Sequence, residues 1–254
     1  MSDSGGGAGI QADLLTFAAH GVYGATVLVA ATAQNTRGVR AIEALSTAIL
    51  GRQIEAVFSD LRPRAVKIGA LFDAPRIRTV ARGLKRWHAR NVVLDPVILA
   101  KTGRRLLSRA ALRSLVQDLL PLCDLVTPNI PEAEALARTP IASEADRRLA
   151  ALRIAEAGAR AILIKGGHGK GKLLDLLFDG REFTAFRAPR IATRATHGTG
   201  CTLSSAIAAN LALGRGLQES VERAIAYLRA GLRHGLFPGR GYGVPAHFPS
   251  RQTT

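Results

Sequence analysis

The sequence predicts an α/β fold with a largely parallel sheet covered by helices on both faces. Two patterns carry that prediction. Short, apolar, β-branched runs recur along the chain, as strands covered on both sides require. Longer amphipathic stretches separate them, and strand–helix alternation of this kind builds parallel sheets. A length of 254 residues suffices for a large core. The 47% hydrophobic and 21% charged fractions belong to a folded chain rather than a disordered one.

Taken in order, strands are expected over 25–30, 65–68, 91–95, 124–127 and 161–165. Helices are expected over 10–19, 45–58, 75–86, 108–120 and 143–157. Asp73 stands two residues before Pro75, which suits a helix start with proline in the first turn. Ser143-Glu-Ala-Asp146 has the form of a capping box with Asp in place of Glu. Beyond Lys165 the pattern changes. Two apolar runs, 173–178 and 182–187, flank Asp179-Gly180 and read as a hairpin. A Gly/Thr-rich loop leads into helices over 202–212 and 217–234, and the tail from 237 reads as irregular. With no repeat and no long linker, residues 1–254 are expected to form a single domain.

The net charge is +16, from 35 basic and 19 acidic residues. Nucleic-acid binding is the obvious reading of such a balance. Against it, 29 of the 35 bases are arginines scattered along an alanine-rich chain, and the aromatic content is only 5%. Stacking platforms for single strands are therefore scarce, and no nucleic-acid partner is expected. No apolar run reaches the roughly 20 residues of a membrane helix, and the first residues lack the pattern of a signal peptide. Cys123 and Cys201 are far apart and in no C-x-x-C pair. That argues against a disulfide scaffold or a zinc knuckle and fits a reducing cytoplasm.

Open parallel sheets bind ligands at the carboxyl ends of their strands. The residues just past the expected strands are polar: Gln34-Asn35, Asp95-Pro96, Thr127-Pro-Asn129 and Lys165-Gly-Gly-His168. Gly166–Lys172 nearly matches a P-loop, but Leu173 stands where the magnesium hydroxyl belongs and a strand follows instead of a helix. Gly7-Ala-Gly9-Ile-Gln-Ala12 matches a dinucleotide fingerprint, yet no strand precedes it and no acid follows about 20 positions on. The loop His197-Gly198-Thr199-Gly200-Cys201, running into a helix, is more informative. Glycines allow successive amides to point one way, and the helix adds its positive end, so together they suit an anion. An ordinary Gly-rich helix start is the bland reading of the same residues. Asn129-Ile-Pro-Glu132 places an amide and a carboxylate at a strand-to-helix turn, suited either to Mg²⁺ among nucleotide phosphates or to helix capping.

These segments, together with Ser2–Asp13, Ala33–Thr36, Lys67-Ile-Gly69, Val93–Val97 and Leu99–Gly103, follow in the order of one family. The chain resembles, over nearly its whole length, the bacterial hydroxymethylpyrimidine/phosphomethylpyrimidine kinases of thiamine biosynthesis, in the ribokinase-like superfamily. That resemblance implies a three-layer α/β/α fold with a mostly parallel central sheet. It implies ATP-dependent phosphorylation of the aminopyrimidine alcohol and of its monophosphate, with Mg²⁺, by a cytoplasmic enzyme expected to be a homodimer. Gln34 is expected to read the pyrimidine edge, with Asp13, Gly9, Ala70 and Val97 around the same substrate. Lys165, Asn129, Glu132, Asp95 and Thr127 are expected at ATP and Mg²⁺, with Glu132 reaching the metal through water. The backbone of Gly198, Thr199 and Gly200 is expected to form the anion hole. Cys201, where many ribokinase-like enzymes carry an Asp, is the expected base, since a helix N-terminus lowers a thiol's pKa.

The chain departs from that family in two ways. Met1 stands where the family's first strand would end, so the first strand is expected to be missing by about ten residues, leaving strand edges unpaired. A start codon placed too late and a degraded relative both account for this. In the second case, low solubility and weak activity are expected. Ala70 stands where relatives carry methionine, and a roomier pocket makes pyridoxal kinase the nearest alternative, since small pocket changes shift discrimination by only about 1–3 kcal/mol. A basic binding protein on a kinase fold is the alternative from another class.

Overall fold

The computed structural model describes residues 1–98, 107–167 and 173–248. The motif segment 99–103 and His168 therefore lie outside the described residues. The chain divides into two compact units, residues 1–65 with 191–254 and residues 66–190.

The first unit contains a three-stranded sheet of β1 (Ser2–Asp3), β2 (Ala30–Asn35) and β3 (Gly38–Ala44), in that order. Where the sequence predicts no first strand, Ser2 and Asp3 pair in parallel with Ala31 and Thr32. β2 and β3 form an antiparallel hairpin. Helices α1 (Gly9–Ala19), α2 (Thr47–Asp60), α7 (Thr199–Ala212) and α8 (Leu217–Arg233) complete the unit, with α7 packed between α1 and α8. Helix α7 is nearly buried all round, from Thr202 to Asn210, which its alanine-rich sequence permits by letting neighbours approach closely.

Two expectations are corrected here. Of the run expected over 25–30, only Ala30 lies in a strand. Leu28 instead exchanges both of its backbone groups with the Gln53 side chain of α2, at 2.9 and 3.1 Å. That amide replaces a neighbouring strand, and regular pairing begins only at Ala30. β3, with its mixed and largely exposed Gly-Val-Arg-Ala-Ile-Glu-Ala, is a strand that hydropathy does not signal.

The second unit contains a six-stranded sheet in sequence order: β4 (Val66–Ile68), β5 (Val92–Leu94), β6 (Leu125–Val126), β7 (Ile162–Ile164), β8 (Leu173–Phe178) and β9 (Phe183–Ala188). β4 to β7 are parallel, and β8 and β9 close the sheet antiparallel, as the Asp179-Gly180 turn requires. Val92–Leu94 and Ile162–Ile164 are fully buried, and each such side chain contributes about 1.5–3 kcal/mol on burial.

Around the sheet stand α3 (Ala74–Arg86), α4 (Arg109–Ser114), α5 (Ile130–Ala137) and α6 (Glu144–Glu156). Asp73 caps α3, and Ser143 with Asp146 forms the capping box of α6. The helix expected over 108–120 is α-helical only to Ser114. It continues as a π-turn over Leu115–Leu119 and a 3₁₀ turn over Leu120–Leu122, where Pro121 cannot donate to the helical ladder. The mostly parallel sheet with helices is the fold class the sequence predicts.

Candidate active site

In the second unit, neighbouring strands end side by side and bring their next residues together. The Asp95 amide donates to the Ile68 carbonyl at 2.8 Å, and the Thr127 amide to the Leu94 carbonyl at 2.9 Å. The Lys165 amide donates to the Pro128 carbonyl at 2.8 Å, placing Lys165 beside Asn129. This is the carboxyl edge of the sheet, where α/β proteins collect functional groups. Lys165 Nζ meets Asp95 Oδ1 at 2.8 Å, with side chains only 14% and 5% exposed. A buried pair of this kind is specified by charge matching, because removing either member strands the other.

Asn129 and Glu132 form a reciprocal capping box at the start of α5. Asn129 Oδ1 accepts from the Glu132 amide at 3.0 Å, and Glu132 Oε2 accepts from the Asn129 amide at 2.9 Å. The capping reading of these residues is thus realised in the geometry. Burial pushes the Glu132 carboxyl up to about 7. The positive charge of Lys165 opposes that shift, and the nearby Asp95 reinforces it. Thr127 is fully buried, while Ala70 and Val97 are half-buried in the segments following β4 and β5. Among the described residues, no group of three or more His, Cys, Asp or Glu side chains is placed to hold a metal ion.

In the first unit the Gly-rich entry segment folds around Asp3. Its nearly buried carboxylate accepts the amides of Gly5 (2.8 Å) and Ala8 (2.9 Å) and contacts His197 Nε2 at 2.8 Å. Burial pushes this carboxyl up, but the bonds from His197 and the two amides outweigh it and hold Asp3 below its ordinary value. The Gln34 side-chain amide lies 3.3 Å from His197 Nε2 and 3.1 Å from Thr32 Oγ1.

Gly198 opens α7 at φ +76°, and among the described residues no side chain caps the helix. A Cβ on Gly198 would lie 1.8 Å from the Gly7 carbonyl oxygen, so the two loops touch backbone to backbone. Gly9, at φ +59°, closes in the same way on Met1. Thr199, Gly200 and Cys201 form the first turn of α7. Asp13 is buried on α1 and accepts from Ser205 of α7 at 2.7 Å.

The structure thus groups Asp95, Thr127, Asn129, Glu132 and Lys165 in one unit, and Gly9, Gln34 and Gly198–Cys201 in the other. Sequence reasoning did not single out Asp3, Thr32 and His197 as site residues. The signal for them was indirect: Gly7 and Gly198 must be glycine because the entry segment and the 197–198 loop leave no room for a side chain, with a Cβ on Gly7 falling 2.4 Å from the His197 ring.

Solved structures place this arrangement in the class of ribokinase-like phosphotransferases. A pyridoxal kinase from Bacillus subtilis, described as an ADP complex, matches with a TM-score of 0.90 at 32% identity, covering 98% of this chain and 95% of that one. A phosphomethylpyrimidine kinase from Clostridium difficile matches with a TM-score of 0.82 at 42% identity, over 90% of this chain and 94% of that one. The hydroxymethylpyrimidine/phosphomethylpyrimidine kinase of Rhizobium meliloti is 51% identical over 251 residues, covering 97% of this chain and 94% of the relative. A thiamine biosynthesis bifunctional protein from Geobacter sulfurreducens is 50% identical over 97% of this chain, which spans about half of that protein's length. A family model described as phosphomethylpyrimidine kinase matches residues 3–246. The chain belongs to the phosphomethylpyrimidine kinase family.

Proposed function

We propose that the chain phosphorylates 4-amino-5-hydroxymethyl-2-methylpyrimidine and then its monophosphate, with ATP as donor, in thiamine biosynthesis. The observation that carries this reading is the family match over residues 3–246, with full-length relatives named for both activities at 42–51% identity. In the reaction the substrate hydroxyl attacks the γ-phosphorus and ADP leaves. The chain has little covalent chemistry to perform, so positioning and charge stabilisation dominate.

On this reading Gln34 reads the aminopyrimidine edge, with Asp13 and Gly9 helping to shape its surroundings, and Ala70 and Val97 are further substrate-binding residues. Lys165 offers its ammonium to the ATP phosphates, with Asp95 holding it in place and Thr127 beside them. The amides of Gly198, Thr199 and Gly200, at the uncapped start of α7, face the negative charge that grows on the transferred group; one such donor is typically worth about 2.7–4 kcal/mol in the transition state. Cys201, in the first turn of that helix, takes the hydroxyl proton as thiolate. A magnesium ion fits the donor set, since it keeps most of its ligands from phosphate and water and needs only one or two carboxylates. Glu132 would hold it through water, with Asn129 orienting Glu132 and Asp95 close by on Lys165. When bound, it supplies neutralisation of phosphate charge.

The same reading makes the protein a single kinase domain and a cytoplasmic homodimer. A second substrate is favoured by one observation. Solved pyridoxal kinases superpose at TM-scores of 0.89–0.91, above the 0.82 of the Clostridium difficile phosphomethylpyrimidine kinase. A coupled ATP assay with the pyrimidine alcohol, its monophosphate and pyridoxal as separate substrates tests both. Turnover of the two pyrimidines is expected. Turnover of pyridoxal alone would replace the first reading by the second. No turnover, with salt-sensitive nucleic-acid binding, would favour a binding protein.

A further inference from the structure

The Gln34 amide sits among hydrogen-bond partners that fix more than its expected contact with substrate. One end of the Gln34 amide faces Thr32 and the other faces His197, and the partners decide which end is the oxygen. Thr32 Oγ1 has one proton, and the Ser2 carbonyl, an acceptor only and the nearer contact at 2.9 Å, takes it in preference to Gln34 at 3.1 Å. Thr32 therefore has only a lone pair to offer Gln34 at 3.1 Å, and a lone pair needs an N–H opposite.

At the other end, Asp3 Oδ2 lies 2.8 Å from His197 Nε2. The other partners of this carboxylate are the amides of Gly5 and Ala8, both donors. Those bonds keep Asp3 ionised against its burial, so Nε2 must carry the hydrogen. A protonated Nε2 at 3.3 Å needs an oxygen of Gln34 opposite it. Side-chain amide orientation follows from the partners, and here both ends demand the same one.

We infer that Asp3, His197 and Thr32 are positioning residues that lock the Gln34 amide with its oxygen toward His197 and its nitrogen toward Thr32. The chain then runs one way. Gln34 donates to Thr32, which donates to the Ser2 carbonyl; His197 donates to Asp3 and shares its N–H with the Gln34 oxygen. Gln34 keeps one N–H and one lone pair in fixed places. A ring with an acceptor nitrogen beside an exocyclic amine matches such a donor–acceptor edge. A lone ring nitrogen matches only half of it, and a phenol carries its donor and acceptor on one atom instead of two neighbouring ones. The lock therefore sets specificity for an aminopyrimidine over a hydroxypyridine. Its specificity half rests on the proposed function, whereas the hydrogen-bond order does not.

Two measurements on the full chain test it. The first is ¹⁵N NMR of histidine-labelled protein, with the His197 signal assigned by its loss in His197→Gln. A hydrogen on Nε2 is expected, and a bare Nε2 overturns the inference whatever the enzyme phosphorylates. The second is steady-state kinetics of His197→Ala and Thr32→Val. Each is expected to raise KM for hydroxymethylpyrimidine roughly tenfold, with kcat within about threefold, which is the scale of one hydrogen bond. His197→Gln, which returns an N–H near the Nε2 position, is expected to restore KM to within about threefold. An unchanged KM in Thr32→Val, or a fall in kcat at constant KM, overturns the inference. Absence of pyrimidine turnover in the wild type would instead contradict the proposed function, and the NMR result would still decide the hydrogen-bond order.

Discussion

Single residues in this protein act through what surrounds them. Lys165 and Asp95 are legible in the sequence as polar residues past strand ends, and the sheet register brings them to 2.8 Å. Cys201 is legible from its loop, and its place in the first turn of α7 gives the thiol the positive end of a helix. The contrast with Cys123 is instructive. Burial pushes the Cys123 thiol far up, and the neighbouring Asp124 adds to that, so it is inert at neutral pH. Cys201→Ala is expected to lose about 10²–10⁴-fold in kcat, the usual worth of a positioned base, while residual turnover persists through positioning by the rest of the site. Turnover at the wild-type rate with saturating ATP would remove Cys201 from that role. Asp3 and His197 were not legible as a pair, because 194 residues separate them and only the fold brings their side chains to 2.8 Å.

Elements were legible where local chemistry decides them. The capping box of Ser143 and Asp146, the proline-led start of α3 and the Asp179-Gly180 hairpin all formed as their residues dictate. Elements were illegible where a distant partner decides. Residues 25–29 are apolar enough for a strand, yet Gln53 satisfies Leu28 and, among the described residues, no strand pairs with them. β3 is polar enough for a loop, yet the hairpin with β2 makes it a strand. The start of α7 shows the same dependence. Its glycine is legible as loop-forming, while its contact with Gly7 is not. Gly198→Ala and Gly214→Ala separate the two effects. Both positions have positive φ, but a Cβ at Gly214 meets nothing within 4 Å. In thermal or denaturant unfolding, Gly214→Ala is expected to lose about 1 kcal/mol from backbone strain alone. Gly198→Ala is expected to lose clearly more, with activity falling alongside. Equal losses would show that the Gly7 contact contributes nothing.

Across the whole molecule, the two compact units are expected to answer acid differently. In the first unit, burial holds His20 and His247 below their ordinary value of 6.5. The unfolded chain then binds more protons than the folded one, so stability falls as pH drops below about 6.5. In the second unit, burial raises Glu132 from its ordinary 4.5 to about 7. Between those values the folded chain binds more protons, so stability falls as pH rises through that window and recovers as pH drops. Hydrogen-exchange protection at pH 5.5 and 7.5 is expected to fall in α1 and α8 on acidification and to rise at the start of α5. The same sign of change in both units would contradict these assignments. At this scale the sequence's +16 is less informative than its motifs. Some arginines are occupied with neighbouring acids, such as Arg148 and Arg187 with Glu144, and Arg223 with Glu219.

The central claim is that one chain carries out two successive phosphorylations of an aminopyrimidine. Mass-spectrometric analysis of the products from hydroxymethylpyrimidine, ATP and Mg²⁺ tests it most directly. The account predicts that the monophosphate appears first and is converted to the diphosphate by the same purified chain. Pyridoxal phosphate as the only product, from a parallel reaction with pyridoxal, would contradict it.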